Sequence, residues 1–355
     1  KAGGLVFNDG STQSAVSSPL GRNLLINGDF TVAQRGTSII STGTFQNDDD
    51  SYTLDRWNLL SDGDDIVDVT RATDVPASSS NNSIGLDVET ASKKFGIAQY
   101  IEARHIKPLI SKAVSLSFQA KVTSAAAGRL DNIKAVVLSW DSTADSVTSD
   151  VVSAWGVEDT TPTFAANWTA ENTPANLSVT ASWAEYKIEN ISINTSSTTN
   201  IAVFIWADGL TGTVGDFLYI TDVQLESGAT ANGFGRRLQT EEQDLCFRYA
   251  YVADGSQGSH RWLCANSGTT QTTVTVRLPV PLRTTPTIQA GTSLAMNVQQ
   301  YNNSFNPSSL SFASINYDNE SVNLSFTSRN YTGLTDNRIA SLAPSADKIG
   351  FFSEL

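Results

Sequence analysis

Side chains able to do acid, base or nucleophilic work are few in this chain of 355 residues. Histidine occurs only at His105 and His260, so a Ser–His–Asp relay or a hydrolytic metal centre would have to use one of them. The spacings GxSxG, HExxH, GxxxxGKS/T and GxGxxG do not occur. Glycoside hydrolysis needs only two well-placed carboxylates. The 36 Asp and Glu residues leave that chemistry open without singling out a pair. The acid-rich runs at 47–51 and 61–65, and Asp141 with Asp145, read as solvated turns; none has the spacing of a calcium-binding helix–loop–helix. Cys246 and Cys264 are too few for a disulfide framework or a structural zinc site. They flank a hairpin expected at 254–259, out of register for a cross-strand bridge, and are expected to be free, buried thiols. That suits assembly in a reducing cytoplasm. The chain therefore reads as non-enzymatic, and the remaining chemistry is contact. Trp57, Trp183 and Trp206 lie in strand-like or aliphatic surroundings and read as core. Trp155 and Trp168 lie in Gly-, Pro- and Thr-rich stretches that read as loops, where exposed aromatics mark contact surfaces.

The elements that must hold such side chains are strands. Charged residues make up only 17% of a chain rich in Ser, Thr, Val and Gly, which disfavours long helices and suits strands and turns. The net charge of −13 repels phosphate backbones and acidic headgroups, so nucleic acid is excluded as a partner. With no apolar run of spanning length, membrane insertion is excluded too. Lys1 in place of Met suggests a processed product or part of something longer. Alternation predicts strands at 114–122, 133–140, 183–193, 201–206 and 217–225, separated by turn-forming segments. Many short strands without intervening helices make an all-β sandwich. Near residue 230 the pattern breaks. Thr240, with Gln243 three residues on, predicts a capped short helix. Strands at 247–252, 273–280, 309–315 and 321–326 then predict a second β-rich unit. The organisation expected is an arm or tether over residues 1–20, a sandwich over 21–235 and a smaller C-terminal sandwich over 236–355.

Particular strings carry a resemblance. GLVFNDGSTQ (4–13), GRNLLINGDFTVAQRG (21–36), YTLDRW (52–57), YITDVQLESGATANGFGRR (219–237), CFRYAY (246–251) and VRLPVPLRTTPTI (276–288) resemble elements of bacteriophage tail fibre proteins. The first module is also similar to jelly-roll carbohydrate-binding, galactose-binding-like modules. Asn23, Asn27, Gly28, Asp29 and Phe30 match their first strand, and Asp222, Val223, Leu225 and Glu226 their last.

The resemblance implies a jelly roll in a virion tail fibre that recognises host cell-surface polysaccharide during adsorption. It also implies a homotrimer, contacts with other phage tail or baseplate proteins, and assembly in the bacterial host cytoplasm. Sugar recognition uses aromatic faces on the apolar side of a pyranose, together with polar groups for its hydroxyls. Trp155 and Trp168 are the expected carbohydrate contacts. Such jelly rolls often hold a structural calcium where first and last strands meet, and Asp29 and Asp222 are the carboxylates this chain would bring to Ca2+. The alternatives are a purely structural virion part and a polysaccharide depolymerase.

Overall fold

The computed structural model describes residues 5–6, 12–13, 23–77, 80–126, 129–193, 196–209, 212–254, 262–291, 295–300, 303–305, 311–318, 320–345 and 348–355. Within the expected arm, β1 (Leu5–Val6) pairs antiparallel with β2 (Thr12–Gln13); the rest of the arm, His260 and the expected hairpin beyond Asp254 lie outside the described residues.

The first sandwich runs through β3 (Ser38–Ile39), β4 (Ser51–Tyr52), β5 (Asn58–Ser61), β6 (Val67–Ala72), β7 (Ser83–Val88), β8 (Phe95–Ile101) and β9 (Ala113–Val122). It continues with β10 (Ile133–Trp140), β11 (Val152–Ala154), β12 (Thr163–Phe164), β13 (Trp168–Ala170), β14 (Ala184–Ser192), β15 (Asn200–Ala207) and β16 (Phe217–Ser227). Two six-stranded antiparallel sheets result, ordered β13-β10-β15-β8-β5-β4 and β14-β9-β16-β7-β6-β3. They form a jelly-roll sandwich. Between them Leu116, Phe118, Leu218 and Ile220 of one sheet meet Ile97, Val137, Val203 and Ile205 of the other. Each such side chain contributes about 1.5–3 kcal/mol when fully buried.

Strands β10 and β15 are buried along their whole length, on both faces. Their outer side chains, Val136, Leu138, Trp140, Phe204 and Trp206, form a second apolar layer covered by residues 141–172. This flap is pinned by charge. Lys94, wholly buried, donates to Asp208 Oδ1 (2.6 Å) and to the flap carbonyl of Val157 (2.8 Å). Lys134 pairs with Asp208 Oδ2 (2.8 Å), and the Asp159 N–H donates to the same oxygen (2.7 Å).

Helix α1 (Gln239–Phe247) leads to β17 (Ala250–Asp254), β18 (Trp262–Asn266), β19 (Gln271–Arg277), β20 (Thr287–Ala290) and β21 (Ala295–Gln300). Then follow β22 (Asn303–Phe305), β23 (Ser311–Tyr317), β24 (Asn323–Arg329), β25 (Ile339–Ser345) and β26 (Lys348–Phe352). The sheets β22-β21-β25-β18-β19-β24-β23 and β17-β26-β20 enclose a core of Val274, Leu324, Phe326, Leu342 and Phe351. Two expectations shift here. The helix starts after Leu238 with no side-chain cap, so Thr240 lies inside its first turn and does not close a capping box. Phe247 ends that helix, and the strand expected from 247 starts at Ala250. Cys246 and Cys264 are free and buried, and burial pushes the Cys246 thiol well above its ordinary range.

Candidate functional site

Alternation along β16 sends Leu218 and Ile220 into the core and turns Phe217 and Tyr219 outward, each half-buried. Their rings lie 5.3 Å apart and within 6° of parallel. The register sets Tyr219 between Lys121 of β9 and Gly85 of β7. A Cβ at Gly85 would lie 3.0 Å from Tyr219 Cε1 and 2.9 Å from Thr70 Oγ1, so the glycine makes room for the phenol ring. Lys121 Nζ stands 5.3 Å from the centroid of that ring and 5.8 Å from that of Trp183. The Trp183 indole N–H donates to Asp74 Oδ1 (3.1 Å), and Lys121 donates to Asp74 Oδ2. Burial works against the charge on Asp74, yet these two donors hold its carboxyl below the usual range. Trp183 is thus part of an exposed-face cluster and not the core tryptophan expected.

Past Tyr219 the pairing of β16 with β9 slips between Thr221 and Gln224. Asp222 absorbs the extra residue at φ 53°. The bulge turns its carboxylate outward and returns Val223 and Leu225 to the core. There a cleft of about 310 Å³ opens among Ser117, Gln119, Glu185, Asp222, Phe234 and Arg236. Gln119 Nε2 donates to Asp222 Oδ2 (2.9 Å), and Ser80 Oγ donates to Oδ1. Burial raises the Asp222 carboxyl above its ordinary range; Ser80, Gln119 and Arg236 offset this in part, while Asp29 adds to it. The face therefore combines an aromatic platform with a polar, mixed-charge hollow on one sheet.

Asp29 and Asp222 do come together where the first and last segments of the sandwich meet. Leu24 N donates to Leu225 O (2.8 Å), Val223 N to Gly28 O (2.9 Å), and Asn23 Nδ2 to Val223 O (2.9 Å). Asp29 Oδ1 is buried with no hydrogen-bond partner among the described residues. Calcium takes six to eight oxygens. Both oxygens of Asp222 already accept from neutral donors, Arg236 supplies positive charge nearby, and the described residues bring no group of three His, Cys, Asp or Glu together. Asp29 and Asp222 by themselves supply fewer oxygens than calcium takes.

Trp155 and Trp168 lie on the far side of the sandwich, in the flap. Trp168 belongs to β13, not a loop, and is 6% exposed. It packs on Trp140 (5.1 Å) and Tyr100 (6.1 Å) and donates its indole N–H to Thr148 O (2.9 Å). Trp155 is half-buried, 5.9 Å from Phe204. The two do not share a surface with Tyr219. Sequence reading missed Phe217 and Tyr219, although aromatics at the outward positions of an alternating strand are the signal. It also missed the bulge, legible as a parity change: Leu218 and Ile220 are followed by Val223 and Leu225.

No protein-family model matches the chain, and comparison with curated proteins gives no match. Solved structures similar to it include carbohydrate-binding modules and a phage tailspike domain. The enzymatically active domain of tailspike protein 4 of bacteriophage CBA120 is 17% identical over 58% of this chain, with a TM-score of 0.36; the match spans 21% of the tailspike chain. TmCBM61, solved with β-1,4-galactotriose, is 17% identical over 59% of this chain and 100% of its own, with a TM-score of 0.31. The CBM22-1 xylan-binding domain of Paenibacillus barcinonensis Xyn10C is 11% identical over 54% and 97%, with a TM-score of 0.30.

Proposed function

We propose that this chain binds carbohydrate on the outer face of the β14–β3 sheet, as the host-recognition part of a phage tail fibre. The observation that carries the sugar reading is the Phe217–Tyr219–Trp183 cluster beside a hollow lined by Gln119, Asp222 and Arg236. Aromatic faces take the apolar side of a pyranose, and carboxamide, carboxylate and guanidinium groups take its hydroxyls. The carboxylates around the platform, Asp74, Asp87, Asp222 and Glu185, favour a neutral sugar over an acidic one. The tail-fibre part rests on the sequence motifs, and with it go a virion location, a homotrimer and contacts to other tail or baseplate proteins. Weak sites on several protomers would then act together, since a second engaged site gains from effective concentration alone. In this reading the chain is a binder that leaves the polymer intact.

The test is sedimentation of the purified chain with host surface polysaccharide, alongside Tyr219→Ala and Trp183→Ala. Co-sedimentation with unshortened polymer, lost in both variants, supports the proposal; shortened polymer favours the depolymerase reading. A second reading, a purely structural virion part, draws on one observation: several motif residues, among them Asn27, Arg56, Arg237 and Tyr249, make contacts at the junction between the sandwiches. Absence of co-sedimentation with any envelope fraction would favour it.

A further inference from the structure

A cleft of about 420 Å³ opens where the two sandwiches meet. Its size falls within the range of about 300–1,000 Å³ usual for small-ligand sites. The floor is rigid. Arg35, 5% exposed, lies with its guanidinium carbon 4.5 Å from the Phe352 ring centroid and 5.6 Å from that of Tyr52. Arg35 Nη2 pairs with Glu354 Oε1 (3.0 Å), and the Tyr52 hydroxyl donates to Leu355 O (2.8 Å). The rim is polar and comes from both sandwiches: Gln46 from the first, Thr284, Thr285, Thr287 and Gln289 from the second, all exposed. Gln46 Nε2 donates to Ser41 O (2.7 Å) and Gln289 Nε2 to Thr44 O (2.8 Å), which fixes how both carboxamides are turned.

An aromatic floor ringed by oriented amides and hydroxyls suits a ligand with an apolar face and many hydroxyls. Charge narrows the class. Glu354 is shared by Arg35 and Arg56, and Asp50 on the wall is a second carboxylate, so two positive and two negative groups balance and no net charge selects an ionic ligand. We infer that the cleft between the sandwiches is a second saccharide site, for a neutral oligosaccharide, separate from the Tyr219 face.

The test is methyl-detected NMR of threonine-labelled full chain titrated with maltotriose, cellotriose and β-1,4-galactotriose. The expected result is movement of the Thr284, Thr285 and Thr287 methyl signals with at least one of the three, abolished by Thr285→Trp, which fills the cleft. Thr284→Arg serves the same purpose if Thr285→Trp disturbs the fold, as its spectrum will reveal. The Trp183 indole N–H signal, followed in N–H correlated spectra of a 15N-labelled sample over the same titrations, reads the sheet face, so either site can fail without the other. No movement of the three methyls with any sugar, or movement that persists in the filled variants, overturns the proposal. Movement with trigalacturonate alone overturns the assignment to neutral sugar.

Discussion

The guanidinium carbon of Arg56, in the first sandwich, lies 3.5 Å from the centroid of the Tyr249 ring, in the segment that opens the second. Arg56 Nη2 also donates to Tyr100 O (2.7 Å), and Nη1 pairs with Glu354. Around this contact sit residues of the strings that resemble tail fibres. Asn27 donates through Nδ2 to Val32 O and Asp55 O (2.9 Å each) and accepts the Trp57 indole N–H on its carbonyl (2.9 Å). Its own N–H reaches Glu242 (2.5 Å), which Arg237 also holds (3.1 Å). Arg248 pairs with Glu102 (2.9 Å). Asn27, Arg56, Arg237, Arg248 and Tyr249 thus line the junction.

Glu354 is the shared acceptor of that junction, serving Arg35 and Arg56 with all three side chains at most 8% exposed. Removing one member of a buried pair strands the other charge and costs about 3–5 kcal/mol. Glu354→Ala is expected to destabilise by at least the lower figure, measured by urea unfolding; an unchanged midpoint would show the network to be dispensable.

Gly85 is a positioning residue for the platform. Gly85→Val brings side-chain atoms against Tyr219 and Thr70 and should tilt the ring while the sheet persists. Saccharide affinity on that face is expected to fall about tenfold, equivalent to about 1.4 kcal/mol. Titration calorimetry reads the affinity, and circular dichroism checks the sheet.

Trp168 fills the second apolar layer, so Trp168→Ala should cost about 3–5 kcal/mol of stability. Trp155→Ala, at a half-buried site, should cost less. Polysaccharide co-sedimentation with both variants, compared at a temperature where they remain folded, is expected to equal wild type. A selective loss for either would instead support the sugar contact first expected of these tryptophans.

Acid-range stability offers a further check. Burial and, for Asp68, the neighbouring Glu89, Asp65 and Asp87 raise Asp68 to about 6; burial chiefly raises Asp49 to the same value despite N–H donors from Ser61 and Asp50. A carboxyl that binds its proton more tightly folded than unfolded lowers stability as pH rises from about 4 to about 6. Asp49→Asn and Asp68→Asn should each flatten that decline and raise the melting temperature at pH 7 relative to wild type. Thermal melts at pH 4, 5, 6 and 7 decide it; a steeper decline in the variants would contradict the assignment.

What the sequence made legible was local. Period-two alternation located β9, β14 and β16 within a few residues, and the strand expected at 201–206 lies within β15. The flap was invisible because its reason lies across the sheet: residues 141–172 cover Phe204 and Trp206, which read as core without saying which face. Trp183 misled because a tryptophan opening an alternating strand looks the same facing in or out. The helix start slipped because no side chain caps it; Glu242 in its first turn instead reaches Asn27, 215 residues away.

The junction also bears on how the molecule carries force. Arg35 and Arg56 through Glu354, Arg248 through Glu102, and Lys348 donating to the Arg35 carbonyl (2.8 Å) connect the sandwiches through several contacts. A pull that separates the sandwiches therefore loads several links in parallel instead of peeling them one after another. Under the proposed sugar binding, tension on a bound polymer would pass from one sandwich to the next through these contacts.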